Sequence, residues 1–443
     1  MQLTTPTEEM RFAIPDYELD DRYRKTSGRV YLSGSQALVR LPIMQRQRDE
    51  AAGLNTAGFI SGYTGSPLGG YDTTLKAAQK HLDENHVVFR PGLNEEMGAT
   101  AVWGTQQTDL LGEARYDGVF ALWYGKGPGV DRAGDALKHG SYSGSSKNGG
   151  VIVLVGDDHG AKSSTVAHQS DHALIHFGMP YFNPATVQDY LDYGLYGFAL
   201  SRWSGCWIGM KCVTDTIESS ASVDVDPDGL AISYPADADD ADLNAKWGIH
   251  PSIAEQRHYG QRIPRVKAFV KANRLNRAVI DSEGRSLGIV TTGKAHLDVM
   301  QALEELGLDA NACRTNGVGV FKVAMPWPLE PDLVREFATG YDHILVVEEK
   351  RPVIEHQLAS LLVNDASAPA LLGKYDETGV PLIPSEAELN ADALASVLGG
   401  LLARLGVKGW TALQPQSKPN RAAGGGLMRM PSFCAGCPHN TST

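Results

Sequence analysis

The chain has 443 residues, 52 acidic side chains against 40 Lys and Arg, a formal net charge of −12, and 42% hydrophobic with 21% charged residues. That length accommodates about three domains, and the balance of apolar to charged residues excludes a disordered chain. The acidic excess argues against a sequence-independent nucleic-acid binder, which needs a basic face.

Residues 1–29 are polar and poorly patterned, and read as an extended arm. Strand-like apolar runs follow at 57–63, 118–125, 150–158, 286–293 and 343–350. Helical periodicity marks 35–50, 71–84, 187–201, 295–306, 329–338 and 391–406. Pro42 falls inside the first of these and predicts a kink or a restart there. Continuous apolar strands alternating with helices imply parallel strands buried on both faces, which is the doubly wound α/β class. The Asp-, Pro- and Ala-rich stretch 222–245 reads as a solvated loop, and 409–431 as a Pro/Gly linker. The expected organisation is an arm (1–29), an α/β domain (30–245), a connector (246–280), a smaller α/β domain (281–408), the linker, and a tail (432–443). No run approaches the ~20 apolar residues of a membrane span, and the first residues lack a basic-then-apolar leader pattern. A cytoplasmic protein with no membrane partner is the expectation.

Several motifs carry chemistry. GYTGSPLGGYD (62–72) puts a glycine-rich turn at the carboxyl end of a strand, where open α/β sheets receive ligands. Taken alone, such a turn fits a tight connection equally well. Gly288 to Lys294 has the spacing of a phosphate-binding loop, but Ala295 lacks the hydroxyl that would hold magnesium, and its interior reads as strand. His168, His172 and His176 recur every fourth residue, so a helix would place them on one face. With Asp157 or Asp158 they could hold a metal, or they could be a polar interface face. Glu95 and Glu96 open a small-residue helix, either as complements to its dipole or as a proton-transfer pair. Cys206, Cys212 and Cys313 are scattered and read as buried hydrophobes. Cys434 and Cys437 form C-x-x-C, the pattern of a metal or iron–sulfur half-site or a redox pair, or else two free thiols.

Taken together and in order, GYTGSPLGGYD, NEEMGATA, KGPGVDRAGDALKHGSYSG, NGGVIVLVGDDHGAKSSTVAHQSD, GIVTTGKAHLDVMQALEELGL, VFKVAMPWPLEPDLVREFATGYDHILVVEEKRPVIEHQL and FCAGCPH resemble the 2-oxoacid:ferredoxin oxidoreductases, most closely the indolepyruvate branch. The resemblance implies a thiamine diphosphate enzyme that oxidatively decarboxylates aryl or branched 2-oxo acids to acyl-CoA and passes electrons to ferredoxin. Residues 30–245 would be its pyrimidine-type domain and 281–408 its transketolase-C-like companion. The tail would open a diphosphate-binding domain. By the E-x-G-A pattern Glu96 is the cofactor carboxylate, with Glu95 the fallback, and Gly65 and Gly98 lie in the cofactor-binding segments. Ser66, before Pro67, and Thr64 would meet the substrate, although Thr64 stands where the family often has proline and Ser66 where threonine is common. Cys434 and Cys437 would supply half the ligands of a 4Fe–4S cluster. Mg2+, the diphosphate site and the other cysteines would come from further domains or a partner subunit, in a homo-oligomer. The rival readings are a non-catalytic assembly module and a histidine-ligated metal enzyme.

Overall fold

The computed structural model describes residues 17–112, 114–236 and 241–411. The first sheet has six strands, all parallel, in the order β3-β2-β4-β5-β7-β6: β2 (Thr56–Gly62), β3 (Val87–Phe89), β4 (Gly118–Lys126), β5 (Val151–Asp157), β6 (Tyr181–Phe182) and β7 (Ile208–Val213). Every residue of β5 and of β7 is buried, as expected where helices cover both faces of a parallel sheet. The second sheet has five strands, ordered β13-β12-β10-β11-β9: β9 (Arg277–Ile280), β10 (Leu287–Thr292), β11 (Val318–Val323), β12 (His343–Val347) and β13 (Ala370–Leu372). Its strands are parallel except β9, which is an antiparallel edge. The doubly wound α/β architecture expected from the strand pattern is thus present twice.

A short antiparallel ribbon joins β1 (Arg29–Ser33) to β8 (Ser220–Asp224). The start of the stretch expected to be solvated loop is therefore a strand. The last part of the expected arm is also packed: Arg40, itself buried, donates to the carbonyls of Arg22 and Lys25, and Tyr23 sits in the core. In the segment expected as a connector, the helix Ile263–Ala272 buries Ile263, Val266, Phe269 and Val270 in the core of the first sheet. Arg262, just before it, is buried and donates to the carbonyls of Leu243, Ser141, Tyr142 and Ser143, capping the helix Gly134–Ser143.

Pro42 does not restart its helix, which runs unbroken from Gly34 to Ala51. Proline has no N–H, so the carbonyl four residues earlier, at Leu38, loses its helical partner. The hydroxyl of Tyr71, from the glycine-rich turn, donates to that carbonyl at 3.2 Å, with Tyr71 wholly buried. Tyr71→Phe should leave this buried carbonyl unpaired and cost about 1–3 kcal/mol. The measurement is urea unfolding, with a lower midpoint at unchanged slope.

The two sheets dock with their carboxyl ends converging. Asn183 N donates to Ala324 O (2.9 Å) and Tyr181 N to Trp327 O (3.0 Å). Lys322 on β11 reaches across to Asp189 at 2.7 Å, both largely buried. Gly293, at φ +53°, lies against the carboxamide of Asn183, an approach and a conformation that a side chain would obstruct. Among the described residues no helix is long and apolar enough to cross a membrane.

Candidate functional site

The carboxyl end of β2 is built for close approach. The helix Glu95–Thr105 starts directly over it, because a Cβ on Gly98 would stand 2.9 Å from the Cα of Gly62. Gly92 N donates to Gly62 O at 2.8 Å, and Asn94 caps the helix by accepting from Met97 N at 2.9 Å. Pro67 and Leu68 of the turn pack against Gly156, near the end of β5. The turn, the helix N-terminus and the ends of β4 and β5 thus meet at one edge of the sheet, the place where open α/β folds take ligands.

The two carboxylates behave differently. Glu95 is buried at 5% exposure, lies against Gly129, and places Oε2 3.8 Å from Arg132 Nε. Its backbone carbonyl accepts from Trp123 Nε1 at 3.0 Å. Glu96 is exposed, and its side chain has no partner among the described residues. Leu93 and Met97, close to it in sequence, are exposed too, at 82% and 52%.

In the turn, the hydroxyl of Thr64 donates to Gly69 O at 3.1 Å and closes the loop on itself. The half-buried Ser66 hydroxyl has no partner among the described residues. Neither Gly65 nor Gly98 forms an open cradle: Gly65 is covered by the side-chain stem of Lys126, and Gly98 by Gly62.

The three histidines do not share a helical face. The helix begins only at Asp171, leaving His168 in the preceding loop with its ring against Gly127. Among the described residues no group of three His, Cys, Asp or Glu side chains could hold a metal ion, and this removes the histidine-metal reading. Lys294, of the near-miss phosphate loop, is paired with Asp298 at 2.7 Å and Glu349 at 3.7 Å. Cys434 and Cys437 lie outside the described residues.

A buried charge cluster went unread in the sequence. Lys211 on β7 is 3% exposed, 2.5 Å from Asp171 Oδ2 and 3.7 Å from Asp157 Oδ2. Tyr181 OH donates to Asp171 at 2.7 Å, and Ser170 donates to Asp157 through both N and Oγ. Burial raises both carboxyls, but Lys211 overrides it at Asp171 and holds that group below its ordinary range, whereas Asp157 ends up raised. His159 beside them donates Nδ1–H to His168 O at 3.1 Å and is kept neutral by burial. The one available signal was a lysine and two aspartates set in or beside apolar strands, where an unpaired charge would be costly. The crevice that Lys211, Asp171 and His159 line with Lys294, Glu348 and Glu349 has a volume of about 10 Å³. That is room for one water at most, so neither an organic cofactor nor a 2-oxo acid fits there.

Comparison with known proteins agrees with this architecture. Residues 277–417 match the indolepyruvate oxidoreductase domain. The indolepyruvate oxidoreductase subunit IorA of Methanothermobacter marburgensis is 25% identical over 426 residues, covering 95% of this chain and 61% of the relative. Its counterpart from Pyrococcus abyssi is 24% identical over 423 residues, covering 94% and 59%. The chain therefore spans about three-fifths of the length of these curated relatives. Among solved structures, the 2-oxoglutarate:ferredoxin oxidoreductase from Magnetococcus marinus superposes with a TM-score of 0.57 at 13% identity, over 85% of this chain and 65% of that one, and so shares the fold. With the ordered motifs and the paired α/β sheets, these matches make the chain similar along most of its length to indolepyruvate oxidoreductase subunit IorA, with the indolepyruvate oxidoreductase domain matched at residues 277–417.

Proposed function

We propose that this chain supplies the aminopyrimidine half-site of a thiamine diphosphate-dependent 2-oxoacid oxidoreductase of the indolepyruvate type. The observation that carries the reading is the contrast between the two acids that open the helix Glu95–Thr105. Glu95 is buried and anchored, whereas Glu96 is exposed, without a partner among the described residues, at the carboxyl edge of a parallel sheet. A carboxylate that must meet a cofactor held partly by another module has to be uncovered until that module docks. Glu96 fits that requirement, and the exposed apolar side chains of Leu93 and Met97 on the same segment offer surface for a docking module.

When bound, thiamine diphosphate would supply the carbon nucleophile and the electron sink for decarboxylation of a 2-oxo acid. Glu96 would share a proton with a ring nitrogen of the pyrimidine, favouring the tautomer that accepts a further proton. Glu95 would position it from behind, through Arg132 and Gly129. Gly98 would bring the helix close enough to the turn for both to face one ligand. Ser66, whose hydroxyl has no partner among the described residues, would be the donor to the substrate, since Thr64 uses its single O–H on Gly69.

The diphosphate end, its Mg2+ and the ligands completing a 4Fe–4S cluster begun by Cys434 and Cys437 would come from other domains or a partner subunit. Coenzyme A would take the acyl group and ferredoxin the electrons, with aryl or branched 2-oxo acids as substrates. The test is calorimetry of thiamine diphosphate with Mg2+ against the diphosphate-binding part of the enzyme, with and without this chain. Tighter binding in the presence of the chain, lost in Glu96→Gln, supports the half-site. Affinity unchanged by the chain overturns it and leaves an assembly module.

A further inference from the structure

Lys126 is the last residue of β4 and is half-buried. Its Cβ, Cγ and Cδ lie 2.7–3.3 Å from the position a Cβ on Gly65 would occupy, so the stem runs along that glycine. The ammonium, two bonds beyond Cδ, is therefore held beside the turn that carries Thr64 and Ser66. No acid or carbonyl among the described residues pairs with it. Lys211, Lys294, Lys322 and Lys374 end on a partner, respectively Asp171, Asp298, Asp189 and Glu348 O, whereas buried Lys350, like Lys126, has none among the described residues. A half-buried lysine with no partner among the described residues, its stem on Gly65 and its ammonium beside the turn that also carries the Ser66 hydroxyl, offers two donors to an anion.

From this geometry we infer that Lys126, with Ser66, anchors the carboxylate of the 2-oxo acid and so selects for it. The inference rests on the half-site reading above. A 2-oxo acid carries its one full charge on the carbon next to the carbonyl that reacts, so a cation at this turn would fix which end of the substrate enters first. Half-burial strengthens such a charge-assisted hydrogen bond relative to one in open water. Gly65 is part of the device, because any side chain there would push the lysine stem aside.

The test uses the complete enzyme that contains this chain. Lys126→Met keeps the stem and its packing but removes the charge. It should raise KM for the 2-oxo acid about 10- to 100-fold, the size of one charge-assisted hydrogen bond, with kcat within about threefold of wild type. Inhibition by phenylacetate should weaken in parallel, whereas inhibition by the uncharged phenylacetamide should not change. Lys126→Arg should recover most of the affinity, and Gly65→Ala, which disturbs only the stem, should shift KM in the same direction as Lys126→Met. If Lys126→Met does not fold, the Arg and Gly65→Ala variants carry the same comparison. An unchanged KM overturns the inference, and so does a loss confined to kcat. A rise in KM for coenzyme A instead of the 2-oxo acid overturns it too, by assigning the cation to the nucleotide's phosphates. Wild-type enzyme that turns over no 2-oxo acid would refute the half-site reading itself, which a failure in Lys126 variants alone would not.

Discussion

Glu96→Gln in the complete enzyme is expected to lower turnover of a 2-oxo acid by about 10²–10⁴-fold, the usual contribution of a positioned proton-transfer group. Stability should not change, because the Glu96 side chain is exposed and has no partner among the described residues. Glu95→Gln should behave in the opposite way. It weakens a partly exposed pair with Arg132 and disturbs packing on Gly129, so a small loss of stability with most turnover retained is the expected outcome. Steady-state kinetics paired with thermal unfolding of both variants reads the two effects separately. Full turnover in Glu96→Gln would sink the assignment of that residue, and collapse in Glu95→Gln alone would transfer the role to its neighbour.

Lys211→Met is expected to destabilise the chain by about 3–5 kcal/mol, the cost of leaving buried carboxylates without their cation. Both Asp157 and Asp171 would then be buried without their cation, Asp171 at the crevice lined from both sheets. Denaturant unfolding should show the loss, and adding Asp171→Asn to Lys211→Met should recover part of it, since the two residues form one network. A loss below ~1 kcal/mol would mean that the cluster contributes little net stability. The same network sets an acid limb. Asp171 is held below its unfolded value, so its contribution is fully present above the ordinary carboxylate pKa of about 3.9 and is lost as pH falls through its lower folded value. In Lys211→Met that part of the acid transition should move to higher pH.

Much of the fold was legible because buried parallel strands need continuous apolar runs. The runs predicted at 57–63, 118–125, 150–158, 286–293 and 343–350 correspond to β2, β4, β5, β10 and β12. The short edge strands β3, β6 and β13, of two or three residues, carry too little pattern to be seen. The Pro42 helix does not restart, because the carbonyl that the proline orphans is met by Tyr71, 29 positions along the chain from Pro42, which local propensity cannot anticipate. The histidine triplet misled because spacing has meaning only inside a helix, and here the helix starts after the first of the three.

By itself the sequence determined the class of the molecule and the place to look for its chemistry. Composition, run length and glycine-rich turns follow from local chain physics, and the ordered motifs singled out the acid pair at 95 and 96. Tertiary structure alone decided which acid is uncovered, which turn hydroxyl remains free, and which lysine lies beside it. Those properties depend on what residues distant in the chain place around a side chain: Arg132 and Gly129 around Glu95, Gly69 on Thr64, Gly65 under Lys126. The length that accommodates three domains holds two docked α/β sheets among its described residues. The charge excess noted at the outset is no surface property alone, since some of its acids are buried where those sheets meet, balanced there by lysines that must themselves be buried.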